Sequence, residues 1–356
     1  MVEQVDPWRG RGAVANPPNR FERLALAPDE AADPVEARAP RTEFLRDRSA
    51  SVIARNDSPD VPFDASLNPY RGCEHGCAYC YARPTHEYLG FSSGLDFETR
   101  ILVKEDAPEL LRRELASPKW RPQPLALSGV TDAYQPIERT LRLTRRCLEV
   151  LAECRNPVSI VTKNALVARD LDLLAELARH HAASVCLSIS TLDAGLAARL
   201  EPRASLPALR LATLEKLVRA GIPAGVLVAP IIPGLTESEG LAILKAAGEA
   251  GATFAGKVVL RLPHAVEDLF DAWLTQHAPL RRERVRAGLR ELRGGALDQG
   301  SFGARMRGEG PAADRLDRMF EIGCRRAGLN RGGPTLSVRA FRRPPGAQLE
   351  LLPVEP

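Results

Sequence analysis

The chain has 356 residues, of which 44% are hydrophobic and 26% are charged, and its formal net charge at pH 7 is +4. These proportions are ordinary for a globular protein and exclude a chain that is disordered throughout. The most apolar stretch, residues 220–235, is too short for a membrane helix and contains three prolines, so we expect no membrane span.

The first 60 residues are rich in Pro, Arg, Ala and Asp without a sustained period, which predicts a mostly irregular N-terminal arm. The first 30 residues lack the uninterrupted apolar segment of a secretory signal, so we expect a cytoplasmic protein. Seven cysteines in a chain of this type favour metal binding or catalysis over a disulfide framework.

From Ser66 onward, short apolar runs alternate with longer runs of helical period, which is typical of βαβ units. The predicted strands are Ser66 to Tyr70, Pro124 to Ser128, Val158 to Lys163, Val185 to Thr191, Ala224 to Pro230 and Lys257 to Leu262. The predicted helices are roughly Ala107 to Leu115, Glu138 to Cys154, Asp170 to His181, Leu206 to Ala220 and Glu237 to Ala250. Right-handed crossovers would place these helices outside a parallel sheet. We therefore predict an α/β protein with a partial (β/α)6 barrel of the TIM type over residues 61–264.

Polar residues collect where the predicted strands end. These residues are Ser128, Thr131, Asp132, Thr162, Lys163, Asn164, Ser188, Ser190 and Arg261. Because the carboxyl ends of barrel strands meet at one rim, we expect these side chains to share a pocket.

A loop after the first predicted strand, NPYRGCEHGCAYCY over residues 68–81, carries Cys73, Cys77 and Cys80 with the spacing C-x3-C-x2-C. Thiolates suit iron–sulfur clusters or zinc. Three ligands from one loop would leave one iron of a 4Fe-4S cluster open to a small molecule. The alternative is a zinc site completed by His75 or His86. The spacing, with Tyr79 just before the last cysteine, favours the cluster.

The pattern C-x3-C-x-aromatic-C, formed here by Cys73, Cys77, Tyr79 and Cys80, resembles the hallmark of the radical S-adenosylmethionine (SAM) superfamily, and the likeness extends from about residue 66 to residue 262. The segments SLNPYRGC (66–73) and TDAYQP (131–136) are similar to the subgroup related to spore photoproduct lyase, often called DNA-repair photolyase-like. The resemblance implies a barrel of the radical SAM type with a 4Fe-4S cluster and SAM as cofactors. It also implies reductive cleavage of SAM to a 5′-deoxyadenosyl radical that takes hydrogen from a substrate, and an electron donor such as flavodoxin or ferredoxin.

The resemblance also implies a set of SAM-binding residues. Tyr79 would contact the adenine region, Thr131 would lie near the amino end, and Lys163 and Ser188 would bind the carboxylate or ribose. The remaining members of that set are Ser190, Glu201 and Arg203, with Ile231 and Ile232 packing the adenine. The alternatives are structural: a solvated Lys163, serines that line the barrel, a loop ion pair between Glu201 and Arg203, and Asp132 as a helix cap.

One departure from the resembling subgroup concerns hydrogen return. In spore photoproduct lyase a cysteine on the second strand returns a hydrogen atom to the product radical. When the two sequences are aligned on Thr131 and Asp132, the position of that cysteine corresponds to Gly129 in this chain. Cys147 and Cys154 are interpreted as core residues of a helix. Cys186 and Cys324 are the remaining candidates for a hydrogen donor.

Residues 265–356 are predicted to form a helical, arginine-rich C-terminal extension, with sixteen Arg and seven acidic residues between Thr275 and Pro345. One predicted helix places Arg282, Arg286, Arg290 and Arg293 along one face. The arginines of residues 281–343 could bind nucleic acid phosphates, and the alternative is an ordinary solvated helix face.

Two classes of function follow. The first is a radical SAM enzyme that acts on an unidentified substrate, with nucleic acid as the leading candidate. The second is a non-enzymatic, zinc- or cluster-dependent nucleic-acid-binding protein. Neither reading specifies the oligomeric state.

Overall fold

The structure is a computed structural model that describes residues 10–22, 41–127 and 129–344. Ser128, predicted to end the second strand, and parts of the predicted arm and of the C-terminal extension lie outside the described residues.

Most of the strands belong to one large sheet. The strands of the described chain are β1 (Glu43–Arg46), β2 (Ile53–Arg55), β3 (Ala65–Leu67), β4 (Tyr70–Arg71), β5 (Arg100–Val103), β6 (Leu125–Leu127), β7 (Val158–Thr162), β8 (Ala183–Ile189), β9 (Ala224–Ile231), β10 (Phe254–Val259) and β11 (Asn330–Arg331). The large sheet has the order β11-β10-β9-β8-β7-β6-β3-β2. Strands β3 and β6 to β10 are parallel neighbours in chain order, as a partial (β/α)6 barrel requires.

The helices of the described residues include those that follow the barrel strands and cover the outer face of the sheet. They are α1 (Asp96–Thr99), α2 (Ala107–Ala116), α3 (Glu138–Leu141), α4 (Leu143–Cys154), α5 (Leu171–Ala178), α6 (Ala194–Leu200), α7 (Pro207–Arg219), α8 (Gly240–Glu249), α9 (Val266–His277), α10 (Arg282–Leu292) and α11 (Gly310–Arg326). Within the described ranges, no helix combines the length and hydrophobicity that a membrane crossing requires.

Strand β8 shows how alternation separates the core from the barrel interior. Val185, Leu187 and Ile189 are fully buried in the main hydrophobic core, against the outer helices. Successive side chains of a strand point to opposite faces, so Cys186 and Ser188 face the interior. The polar residues of this strand therefore lie in the barrel interior.

Two details differ from the sequence prediction for physical reasons. The predicted helix 138–154 is interrupted at Arg142, which adopts a left-handed conformation with φ 53°, so α3 and α4 are separate. The sixth barrel strand begins at Phe254, three residues before the predicted start. Gly225 on β9 leaves room for the Phe254 ring, since a Cβ at position 225 would lie 2.4 Å from ring atom Cδ2.

Two short strands fall in the segment predicted to be mostly irregular. Strand β1 pairs with β5 in a second, three-stranded sheet of order β1-β5-β4, and β2 pairs antiparallel with β3 at the edge of the barrel. Both are too short for an alternating pattern to be visible in the sequence.

The C-terminal extension packs against the barrel. Strand β11 extends the large sheet beyond β10, and α11 lies on α8, where Gly323 permits close approach because a Cβ there would lie 2.6 Å from Leu244 Cδ1. Helices α9 and α10 pack with the cysteine loop, through Trp273, Val285 and Leu289, in a second hydrophobic cluster. This second cluster encloses one side of the candidate site.

Candidate active site

The cysteine loop, residues 72–82, begins directly after β4. Cys73 and Cys77 are buried, Cys80 is partly exposed, and all three are free thiols. Gly72 and Gly76 have φ values of 79° and 64°, and a Cβ at Gly72 would lie 2.9 Å from His86 Cε1. Glycine is therefore required at Gly72 for both its conformation and its contact.

The donor set of the loop fits a 4Fe-4S cluster with three protein ligands. Each thiolate of such a cluster binds a different iron, so the ligands need not converge on one point. The other four cysteines are elsewhere: Cys147, Cys154 and Cys324 lie in the main core, and Cys186 lies on β8. Three thiols in one loop would thus leave one iron of such a cluster without a protein thiolate.

The zinc alternative finds less support. It requires His75 or His86 as a fourth ligand, and both imidazole rings have other partners. His75 contacts Asp132 through Nδ1 at 3.3 Å and Asn164 through Nε2 at 3.2 Å. His86 Nε2 contacts the Arg100 carbonyl oxygen at 2.8 Å.

A buried arginine, Arg83, binds the backbone in the middle of the cysteine loop. Arg83 donates from Nε and Nη2 to the Cys77 carbonyl oxygen, at 3.1 and 2.8 Å, and from Nη1 to the Gly94 carbonyl oxygen at 2.8 Å. Its charge is paired with Glu98, and both side chains are fully buried. This pair fixes the backbone at the second cysteine.

Residues 10–13 of the arm complete the same support. Glu98 accepts hydrogen bonds from the backbone N–H groups of Gly12 at 3.1 Å and Ala13 at 2.7 Å. Arg11 donates to the Glu98 carbonyl oxygen at 3.0 Å. A Cβ at Gly12 would lie 1.7 Å from the Gly76 carbonyl oxygen, so the arm touches the cysteine loop directly. Sequence reasoning missed this contact because the arm shows no periodic pattern.

The start of the loop is held by residues that follow β6. Gln135 is buried, accepts a hydrogen bond from the Glu74 backbone N–H at 2.9 Å and donates to the Gly72 carbonyl oxygen at 3.3 Å. The Glu74 carboxylate pairs with Arg203 at 3.0 Å. Thus the predicted residue Arg203 reaches the loop through Glu74, and not through Glu201 as the loop-ion-pair alternative required.

Asp132 links the ends of β6 and β7. It accepts hydrogen bonds from Thr162 Oγ1 at 2.7 Å, from the Lys163 backbone N–H at 2.8 Å and from the Tyr134 backbone N–H at 2.9 Å. Burial favours the neutral acid, but His75 beside it holds the pKa of Asp132 below its ordinary value. Asp132 therefore acts as a turn cap that also orients His75.

Five predicted residues meet in one network around Glu201. Lys163 Nζ lies 3.3 Å from Glu201 Oε1 and 2.7 Å from Ser188 Oγ. Glu201 Oε1 also accepts from Ser190 Oγ at 2.9 Å and from the Tyr79 hydroxyl. Lys163 Nζ lies 5.7 Å from the centre of the Tyr79 ring. The structure thus brings one cation, one carboxylate and three hydroxyls together.

Arg210 completes this network and was not anticipated from the sequence. It is almost fully buried, pairs with Glu201 and donates to the Ser188 carbonyl oxygen at 2.7 Å. Burial of Glu201 would raise the pKa of its carboxyl, but Arg210 and Lys163 lower that pKa to about 2. Arg210 lies inside α7, and no pattern in the sequence of that helix indicates that its side chain is buried.

The remaining predicted residues lie nearby. Thr131 is buried, and its hydroxyl lies 3.4 Å from Asn68 Oδ1. Ile231 and Ile232 are buried at the end of β9, and Ile232 shares a hydrophobic cluster with Cys77 and Tyr79.

The arginine face predicted on α10 is not continuous in the structure. Arg282 and Arg286 pair with Asp271 of α9, at 2.7 and 2.8 Å. Arg293 is 3% exposed and donates to backbone carbonyls, because α10 ends at Leu292 and Arg293, with φ −134° and ψ 27°, leaves the helical face. Arg290 is exposed, and its side chain has no hydrogen bond or ion pair with any residue that the structure describes.

Most of the barrel matches the model of one protein family. Residues 67–247 match the family model of the radical SAM superfamily. An uncharacterized protein of Mycobacterium tuberculosis is 40% identical over 224 residues, which cover 62% of this chain and 65% of the relative. An uncharacterized protein of Methanocaldococcus jannaschii is 32% identical over 199 residues, which cover 56% of this chain and 71% of the relative. The chain therefore spans just under two thirds of the mycobacterial relative.

Among solved structures, the fold is similar to that of spore photoproduct lyase complexed with dinucleoside spore photoproduct. The TM-score is 0.59 at 17% identity, over 81% of each chain. A mutant of that enzyme with bound AdoMet and dinucleoside spore photoproduct gives a TM-score of 0.56 at 18% identity, over 81% of this chain and 80% of the other. These matches show a shared fold and confirm the predicted fold class.

Proposed function

The chain belongs to the radical SAM superfamily, and from this premise we propose that it holds a 4Fe-4S cluster through Cys73, Cys77 and Cys80 and cleaves SAM reductively. The cofactors of this family are the cluster and SAM. The observation that carries the assignment of ligands is the set of three free thiols in one loop beside the barrel mouth. Membership of this family also favours a radical SAM enzyme over the alternative of a non-enzymatic nucleic-acid-binding protein.

A cluster held by Cys73, Cys77 and Cys80 would supply the one electron needed for reductive cleavage of SAM to methionine and a 5′-deoxyadenosyl radical, which would take hydrogen from the substrate. The residues of the chain would bind SAM and orient it. Lys163 offers a cation to the SAM carboxylate, since charge-assisted hydrogen bonds to carboxylates are strong. Ser188 and Ser190 supply hydroxyls, and Glu201 holds Lys163 and Tyr79 in place. Ile231 and Ile232 offer an apolar surface for adenine, with Thr131 near the amino end.

The proposed substrate class is nucleic acid. The arginine-rich extension supports it, because a basic surface attracts a polyanion. The fold similarity to a lyase complexed with a dinucleoside photoproduct supports it as well. A reductant such as flavodoxin or ferredoxin is the proposed electron donor, and the cytoplasm remains the predicted location.

The proposal is tested by anaerobic reconstitution of the full chain. We expect about four irons and four acid-labile sulfides per chain, and 5′-deoxyadenosine on reduction in the presence of SAM. Candidate nucleic acids are then added to find one that increases the yield. One zinc per chain without iron would contradict the proposal.

We predict that the reduced protein forms 5′-deoxyadenosine slowly but does not repair spore photoproduct at a useful rate. Gly129 has no side chain at the place where the resembling enzyme carries its hydrogen-donating cysteine. A Cβ there would lie 3.2 Å from Ser66 Cβ, so the site is already tight. Chromatographic assay of the repaired dinucleotide checks this. Efficient repair that survives replacement of both Cys186 and Cys324 would contradict the prediction.

A second prediction separates free from paired arginines on α10. If the extension binds single-stranded DNA, Arg290→Ala should lower the slope of log affinity against log salt by about 0.7, the value for one lost phosphate contact. Arg286→Ala is the matched control, because its charge is already paired with Asp271. Equal slopes for wild type and Arg290→Ala would show that this helix face is simply solvated.

A further inference from the structure

Arg261 lies at the barrel mouth, two residues beyond the end of β10. Its guanidinium lies 5.6 Å from the centre of the Tyr81 ring, and Tyr81 directly follows Cys80. The Tyr81 hydroxyl donates to the Gly129 carbonyl oxygen at 2.8 Å, beyond the end of β6. Tyr81 therefore bridges two distant barrel strands, and Arg261 sits on that bridge beside the cysteine loop.

The guanidinium of Arg261 lacks the partners that a partly buried arginine normally has. Its Nε is shielded from solvent, and Arg261 forms no hydrogen bond or ion pair with the residues described here. Arginines in protein interiors and interfaces usually bind carboxylates or phosphates with two parallel hydrogen bonds. Burying a charge without such a partner costs free energy, which an anionic ligand would recover.

The surrounding charges add to the positive potential. Arg305 lies nearby, but its own charge is paired with Asp60 of the loop before β3. Arg293 also lies close, and its guanidinium donates to backbone carbonyls. Asp298 is the remaining acidic neighbour, and one of its oxygens accepts the Leu262 backbone N–H at 3.0 Å. Among the residues that the structure describes, three cations therefore face two carboxylates at this corner of the mouth.

We propose that Arg261, with Tyr81 as its platform, binds a phosphate group of the substrate. Tyr81 is 48% exposed, so a ligand can reach the pair from solvent. Because Tyr81 adjoins Cys80, a phosphate bound here would place the adjoining part of the substrate beside the cysteine loop. This inference rests on the proposed function, because it takes the ligand to be the substrate that reacts at the same barrel mouth. It specifies that substrate as a phosphate-bearing molecule such as a nucleotide.

The test compares a probe that contains one phosphodiester with one that contains none. Thymidylyl-thymidine and thymidine are titrated into the anaerobically reconstituted full chain with SAM present, and binding is followed by calorimetry. We expect the dinucleotide to bind wild type about 10- to 100-fold more tightly than the nucleoside, the range for hydrogen bonds to a charged group. Arg261→Gln should remove most of that difference, and Arg261→Lys should restore part of it.

Arg121→Gln is the matched control, because Arg121 precedes β6 at the strand end opposite the barrel mouth, is exposed, and likewise has no ion pair with the described residues. It should bind the dinucleotide as wild type does. Wild type that binds both probes equally, or neither, would overturn the phosphate assignment, as would unchanged binding in a folded Arg261→Gln variant. If wild type still holds its cluster and cleaves SAM in that case, only this inference fails, whereas wild type without a cluster would refute the proposed function itself.

Discussion

Replacement of Cys73, Cys77 or Cys80 with Ala is expected to abolish stable cluster binding and SAM cleavage. Each thiolate would hold one iron, and no other cysteine lies in the loop to take its place. Iron and sulfide analysis, with chromatography of 5′-deoxyadenosine, measures both losses. Cys147→Ala is the control, since Cys147 is buried in the main core and should leave the iron content unchanged.

The same preparations test whether one iron is open. Addition of SAM to the reduced wild type should change its electron paramagnetic resonance spectrum, because SAM would bind an iron that lacks a thiolate. An unchanged spectrum at saturating SAM would count against three-cysteine ligation.

Glu201→Gln is expected to destabilise the protein by about 3 kcal/mol and to weaken SAM binding, because it leaves Arg210 buried without a carboxylate. The loss of Glu201 also frees Lys163 and Tyr79 to move. Urea unfolding followed by circular dichroism measures the stability change. Glu249→Gln is the control: Glu249 forms an exposed pair with Lys245 at 3.8 Å and should change stability by less than about 0.5 kcal/mol.

The effect of Glu201 should depend on pH. Its carboxyl has a folded-state pKa of about 2, below the ordinary value of 4.5. A depressed pKa contributes stability that is fully present above 4.5 and is lost as pH falls toward 2. The difference in unfolding free energy between wild type and Glu201→Gln should therefore shrink over that interval when both are compared without the cluster. If the difference in unfolding free energy stayed constant over that interval, the charge of Glu201 would not be the cause of the stability difference.

The barrel strands could be predicted because each is a short apolar run between helical segments. The three cysteines could be placed in one loop because they are close in sequence, and their role as metal ligands stays a prediction. Tyr79, Lys163 and Glu201 could be assigned to one shell only through the family resemblance, and their mutual contacts required the structure. Their roles toward SAM stay predictions.

The rest depends on contacts between segments that are distant in sequence. Arg83 and Glu98 read as ordinary charged residues, yet both are fully buried behind the loop. Arg210 lies in a helix of mixed character, and no local pattern marks it as buried. Arg293 was assigned to an exposed face by extending the helical period past Leu292, where α10 ends and that period no longer gives the direction of a side chain.

The supports of the cysteine loop also bear on the order of events during synthesis. Residues 10–13 leave the ribosome first, the loop follows, and α9 and α10, which pack with the loop, come last. Nascent chains emerge from the N-terminus at a limited rate. The enclosed form of the loop therefore cannot exist until residue 292 has emerged. We expect iron–sulfur delivery to act after α10 has emerged, and a nascent chain that stalls before α9 to leave its cysteines accessible to oxidation.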